Sequence, residues 1–330
     1  MTIAWVLGSA GLLGAALCRA LRDDDTELFV PAQRFSWDQA LELPVQIKDA
    51  VRSFALQAER AERWEIHWAA GVGTMGSAAP VLAPETQALA AVLEHLRCES
   101  RLMAMPGALS FASSAGAIYA GSPDEVITEN TSPVPTTAYA TEKMRQEDMV
   151  RAFVAASPCA TALVARISTL YGPGQATGKK QGLLGHMARC IIRNRPIQVF
   201  VPFDTIRDYV DADDAARAMI GTMRAANEQS RVLTKIIASE QPATIAEIVS
   251  IFKRLARRSP LVVRSANQLS SLYTRRVQFR SVVQSSYVRL PVKQLPVGIS
   301  QLMRAEHLAF TRNPAPAEVQ TTPLRMRTVA

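Results

Sequence analysis

Ile3-Ala4-Trp5-Val6-Leu7 runs directly into Gly8-Ser9-Ala10-Gly11-Leu12-Leu13-Gly14, and the reading of this stretch decides the fold. The first five residues are apolar and suit a strand. Beyond the glycines, Leu13, Ala16, Leu17, Ala20 and Leu21 recur at helical spacing. Strand, glycine turn and helix, in that order, are the context a dinucleotide-binding loop requires. Gly8 turns the chain off the strand, Gly11 lets the backbone approach a pyrophosphate, and Gly14 lets the helix pack on the sheet. Ser9, Ala10, Leu12 and Leu13 complete the loop, whose amides face the phosphates at the helix N-terminus. The next strand, Glu27 to Val30, leads into Pro31-Ala32-Gln33-Arg34. No carboxylate stands there to meet a ribose 2′-hydroxyl. Arg34 suits a 2′-phosphate instead, so the expected cofactor is NAD(P) with a lean to NADP.

Further along, Glu65-Ile66-His67-Trp68-Ala69-Ala70-Gly71 reads as a buried strand ending in small residues. Ala69, Ala70 and Gly71 would let a cofactor lie against the backbone, while His67 reads as a core histidine. Leu109 to Ser114 is a strand ending in two hydroxyls. Pro133 and Pro135 then precede a helical stretch that opens Tyr139-Ala140-Thr141-Glu142-Lys143 and runs to Phe153. Positions i and i+4 share a helix face, so Tyr139 and Lys143 point at one spot. An ammonium beside a phenol favours the phenolate, and such a tyrosine serves as general acid or base near neutral pH.

Taken together, these motifs resemble those of the extended short-chain dehydrogenase/reductase family, the NAD(P)-dependent nucleotide-sugar epimerases, dehydratases and reductases. The matches are Gly8/Gly11/Gly14, His67-Trp68-Ala69-Ala70, Ser113-Ser114 leading to Ile118-Tyr119, Tyr139/Lys143, Arg166 to Tyr171-Gly172-Pro173-Gly174-Gln175, and Arg207 to Asp214. The resemblance implies an α/β fold, a doubly wound parallel Rossmann sheet with a smaller C-terminal substrate-binding domain. It assigns residues 1–172, with 206–240 returning, to the cofactor domain, and 173–205 with 241–310 to the substrate part. It implies Ser114, with Ser113 as the alternative hydroxyl, Tyr139 and Lys143 as catalytic residues, with Tyr139 and Lys143 also against the cofactor. Thr169, where the family often has Asn, and Arg207 are the implied substrate contacts. A nucleotide sugar as substrate and a homodimer follow from the same resemblance. Ala115-Gly116 stand where the dehydratases carry an Asp-Glu pair, which points away from dehydration and toward epimerisation or carbonyl reduction. A catalytically silent dinucleotide-binding regulator is the alternative.

Charge is unevenly spread over the 330 residues. The net charge is +8, yet Ile251 to Ala330 holds fourteen Lys/Arg against Glu306 and Glu318. Nucleic acid, an anionic surface and a phosphorylated small molecule are the candidate partners of such a segment. The motif series favours the last and excludes nucleic acid and membrane. Arg207, Arg264, Arg275, Arg276 and Arg280 are the arginines to place relative to a cleft. Arg254, Arg257 and Arg258 suit a helix C-terminus, after the capping-box pattern at Thr244-Ile245-Ala246-Glu247. Lys179 and Lys180 lie in a loop read as flexible and near the cleft, where they either meet a diphosphate or are solvated. The acids Asp208, Asp211, Asp213 and Asp214 read as helix N-terminal charges, and no metal is expected. Cys18, Cys98, Cys159 and Cys190 have no zinc spacing; they read as reduced, buried thiols of a cytoplasmic protein. From Thr311 the chain lacks periodicity and reads as a disordered tail.

Overall fold

The computed structural model describes residues 1–174, 182–225, 231–264, 276–283 and 292–312. In chain order the elements are β1 (Thr2–Leu7), α1 (Leu12–Asp23), β2 (Glu27–Phe29), α2 (Leu43–Ala58), β3 (Arg63–Trp68), α3 (Ala79–Cys98), α4 (Ser100–Met103) and β4 (Gly107–Ser114). Then come α5 (Ala115–Ile118), β5 (Val126–Ile127), α6 (Ala138–Ala155), β6 (Ala160–Ile167), β7 (Thr169–Tyr171), α7 (Leu183–Ile192), β8 (Ile197–Val199), β9 (Ile206–Arg207) and β10 (Tyr209–Asp211). The chain continues through α8 (Ala212–Ala225), β11 (Val232–Ile237), β12 (Ala243–Thr244), α9 (Ile245–Ala256), β13 (Val262–Arg264), β14 (Gln278–Phe279) and α10 (Leu295–Arg312).

Six strands form one parallel sheet in the order β11-β6-β4-β3-β1-β2. Alternation along β1 shows why it sits inside. Ile3, Trp5 and Leu7 enter the core on one face, while Ala4 and Val6 enter the core on the other. Both faces are covered, as parallel sheets require. On the first face α2, α3 and α6 pack through residues such as Phe54, Leu89 and Phe153. Trp5 meets Phe29 and Phe54 there at centroid distances of 5.3 and 5.6 Å. On the second face α1 and α8 pack through Leu17 and Met219. The doubly wound parallel sheet read from the sequence is therefore present.

A smaller apolar cluster gathers α7, β8, α9 and α10 around Met187, Val199, Phe252 and Ile299. β13 pairs with β8 beside it. Thr244 opens α9 with the capping box the sequence suggests: its Oγ1 accepts from Glu247 N at 3.1 Å, and Glu247 Oε2 accepts from Thr244 N at 2.7 Å.

Two expectations need correction. Cys190 is buried, but Cys18 is half-buried and Cys98 and Cys159 are exposed. The latter two stand at a helix C-terminus and just before a strand, where apolar neighbours in sequence turn inward and leave the thiol outside. α10 runs through Thr311 and Arg312, past the point where a tail was expected; residues 313–330 lie outside the described residues. Lys179, Lys180 and Arg275 also lie outside them. No described helix is long and apolar enough to cross a membrane.

Candidate active site

The glycine loop holds the geometry its spacing implies. Gly8 has φ +86°, and a Cβ there would stand 2.6 Å from the Ala69 backbone. A Cβ on Gly14 would stand 2.1 Å from Gly8 O. Gly11 N donates to Gly8 O at 2.9 Å, closing the turn. Gly11 is the N-cap of α1, and no side chain caps that helix end. No acid occupies its first turn, and Ser9, Ala10 and Gly11 are exposed. Leu13 and Gly14 are buried, and Leu12 is half-buried against the second face of the sheet. Gly11 N is used within the turn, and the loop leads into the uncapped, positive end of the α1 dipole, which fits the diphosphate of a dinucleotide. Arg34 is exposed on the segment after β2.

Beside this loop, a cleft of about 200 Å³ opens at the C-terminal ends of β3, β4 and β6, lined by Ala69, Ala70, Gly71, Ser113, Ser114, Tyr139, Lys143 and Glu85 among others. Ala69 N donates to Leu7 O at 2.9 Å, which joins the cleft to the glycine loop. Thr137 opens α6: its Oγ1 accepts from Ala140 N at 3.2 Å. That start sets Tyr139 and Lys143 on the face toward the cleft. Lys143 Nζ lies 5.8 Å from the centroid of the Tyr139 ring and 5.1 Å from that of Phe111. Tyr139 is half-buried and Lys143 buried.

The two serines at the end of β4 have different fates. Ser113 is buried and donates to Glu147 Oε1 at 2.6 Å. Glu147 also accepts both arms of Arg166, at 3.0 and 2.7 Å, and Arg166 donates to the Tyr119 hydroxyl at 2.6 Å. Burial pushes the Tyr119 phenol up against the pull of Arg166. Ser114 is half-buried at the cleft and has no hydrogen-bond partner among the described residues. It is the hydroxyl left for a ligand. The dehydratase-type pair is missing in space as in sequence: Ala115 is buried, and a Cβ on Gly116 would meet nothing within 4 Å.

Other candidates take structural roles. His67 is fully buried, with Nδ1 2.8 Å from Ser110 Oγ, as a core histidine should be. Asp208 accepts from Ser168 Oγ at 2.6 Å, and from Ser239 N at 2.9 Å and Oγ at 2.8 Å. Asp211 takes Lys293 Nζ at 2.7 Å and Asp213 N at 3.0 Å. Asp213 and Asp214 pair with Arg19 and Arg217, each at 2.5 Å. Neither Thr169 nor Arg207 is among the residues lining the cleft, although Ser168 and Leu170, on either side of Thr169, are. Arg207 donates to Ile206 O at 2.7 Å. Arg276 and Arg280 are exposed and do not line the cleft either.

Sequence reasoning missed Glu85. Its Oε1 lies 2.8 Å from Lys143 Nζ, with side-chain exposures of 9% and 7%. The signal was an acid directly after Pro84 in the mostly apolar first half of α3. It also missed the Ser113–Glu147–Arg166–Tyr119 chain that separates the two serines.

A family model described as the NAD dependent epimerase/dehydratase family matches residues 4–234. Over 124 residues the chain is 29% identical to the dTDP-L-rhamnose 4-epimerase of Burkholderia thailandensis, a match covering 37% of this chain and 33% of that protein. Over 110 residues it is 31% identical to the dTDP-4-dehydro-6-deoxyglucose reductase of Escherichia coli, covering 33% and 34%. The chain thus matches about a third of the length of each of these curated relatives. Among solved structures, MoeE5 in complex with UDP-glucose and NAD superposes with a TM-score of 0.76 at 17% identity, covering 94% of this chain and 100% of that one. RMD from Pseudomonas aeruginosa complexed with NADPH gives 0.75 at 19% identity, covering 94% and 100%. The Thermus thermophilus UDP-glucose 4-epimerase complex with NAD gives 0.73 at 17% identity, covering 93% and 99%. At these identities the likeness is one of fold.

Proposed function

Because the chain belongs to the NAD dependent epimerase/dehydratase family, we propose that it is an NAD(P)-dependent enzyme that epimerises or reduces a nucleotide-diphosphate sugar or a similar phosphorylated polyol. The observation that carries this reading is the convergence of Tyr139, Lys143 and the unengaged Ser114 on a cleft that adjoins the open glycine loop.

Backbone amides of the loop from Ser9 to Leu13, apart from the Gly11 N–H that closes the turn, hold the dinucleotide's diphosphate, and the small residues Ala69, Ala70 and Gly71 give the cofactor room. When bound, the nicotinamide supplies the hydride acceptor and donor. Tyr139 takes the proton of the substrate hydroxyl during oxidation and returns one to the carbonyl oxygen during reduction. Ser114 donates to that same oxygen and orients it. Lys143 holds its ammonium against the Tyr139 ring and offers a donor to the cofactor ribose. The part of the chain around the smaller apolar cluster is the substrate-binding part, with residues 1–172 and 206–240 as the cofactor domain. Arg207 and Thr169 serve substrate binding. Arg34 gives a lean to NADP through a 2′-phosphate. Two copies pair through long helices that include α6, which light scattering on the purified protein would check.

The test is direct. Purified protein is titrated with NAD and NADP by fluorescence, and hydride transfer is then followed across a panel of nucleotide sugars with wild type and Tyr139→Phe. Binding of a dinucleotide, and turnover lost by a factor of at least about 10² in the variant, is the expected result. Transfer that survives in Tyr139→Phe rejects the mechanism. Dinucleotide binding without turnover of any sugar favours the regulator, and no binding at all rejects the reading.

A further inference from the structure

The chemistry above leaves Glu85 unused, yet the pair it forms with Lys143 is built by several elements. Pro84 brings no N–H to the ladder of α3 immediately before Glu85. Gly71 leaves the space: a Cβ there would stand 2.7 Å from Glu85 Oε1. Gln146 accepts from Lys143 Nζ at 3.1 Å and donates to Thr86 Oγ1 at 2.8 Å, which ties the helix of Lys143 to the helix of Glu85.

We propose that Glu85 is a positioning residue that holds the Lys143 ammonium in the cleft wall and sets the pH at which Tyr139 gives up its proton. The proposal rests on the reading of Tyr139 as the acid/base. An ammonium alone beside a phenol favours the phenolate; a carboxylate 2.8 Å from that ammonium cancels most of its field. Of the other charges on α6, Asp148 is exposed, and Glu142 lies 3.5 Å from Arg145. Glu147, one turn further on, is held by Arg166 and also lies 3.6 Å from Arg151. On β3, His67 and Glu65 are buried in the sheet core, with Glu65 paired to Arg224 of α8. The charge facing Tyr139 is therefore decided by Glu85 and Lys143 together. With the carboxylate gone, the phenolate forms at lower pH.

The readout needs neither substrate nor cofactor. Near-ultraviolet phenolate absorbance is titrated in wild type and in Glu85→Gln, each corrected by the matching protein carrying Tyr139→Phe. The Tyr139 transition should move to lower pH by about one unit in Glu85→Gln. A transition that stays within about 0.3 pH unit, or moves upward, overturns the proposal. Glu85→Gln leaves a buried charge unmatched, so the double variant Glu85→Gln/Lys143→Gln serves as the folded control. With both charges removed, its Tyr139 transition should lie close to wild type. An upward displacement of about one unit or more would mean that Lys143 acts uncompensated, and would also overturn the proposal. Failure of the wild type to bind a dinucleotide rejects the functional reading instead, and leaves the phenolate titration readable.

Discussion

The Ser113 hydroxyl and Glu147 Oε1 lie 2.6 Å apart, so of the two adjacent serines that line the cleft the first has its hydroxyl bound to the protein and the second has its hydroxyl unengaged. A one-residue step along β4 turns successive side chains to opposite sides. The two positions therefore separate stability from chemistry. Ser114→Ala should lower kcat/KM by about 10² or more with a nearly unchanged urea midpoint. Ser113→Ala should cost about 1–3 kcal/mol of unfolding free energy, because Glu147 loses a buried donor. Steady-state kinetics and urea titration on both variants check the assignment; the opposite pattern would make Ser113 the working hydroxyl.

Gly8 is held twice, by φ +86° and by the Ala69 backbone 2.6 Å from where a Cβ would sit. Gly8→Ala should therefore displace the loop and lower dinucleotide affinity by at least about tenfold. Isothermal titration reads the affinity, and circular dichroism checks that the sheet persists.

Arg34 should separate the two dinucleotides. Arg34→Ala is expected to weaken NADP by about tenfold and NAD by less than about twofold, since a single charge-assisted contact to a 2′-phosphate contributes on the order of 1.5 kcal/mol. Equal losses for both would remove Arg34 from cofactor choice.

Acid stability has an identifiable source in Glu65. Burial pushes this carboxyl up, but the His67 ring and Arg224 pull it down harder, to about 2. Arg224 grips it with Nε at 2.8 Å and Nη2 at 2.9 Å. A depressed folded-state value means that stability is fully present above the ordinary carboxyl range and is lost as pH falls from about 4.5 toward 2. The contribution is roughly 3 kcal/mol. Urea midpoints should fall across that window in wild type, and Glu65→Gln should start lower and show a shallower slope. Parallel slopes would exclude Glu65 as the source.

Much of the fold was legible because it is local. The β1–loop–α1 sequence, the Tyr139/Lys143 pair on one face of α6 and the capping box at Thr244 all depend on residues within a few positions of each other. Chain geometry alone sets such neighbours: one turn of helix or one step of strand decides them. The apolar run of β1 and the stretch from Leu109 to Ser114 likewise read as strands. What joins distant segments was not legible. Glu85 reaches Lys143 across 58 positions, and Arg224 reaches Glu65 across 159. The choice between Ser113 and Ser114 depends on where α6 places Glu147 and where β6 places Arg166. The acids after Arg207 read as helix-end charges, yet Asp208 holds Ser168 and Ser239 together. Periodicity says which face of a strand or helix turns inward, but not what waits there. That is decided by the strand order, which sets β4 between β3 and β6 and lays α3 against α6, and so brings an acid, an ammonium and a phenol to one wall of the cleft.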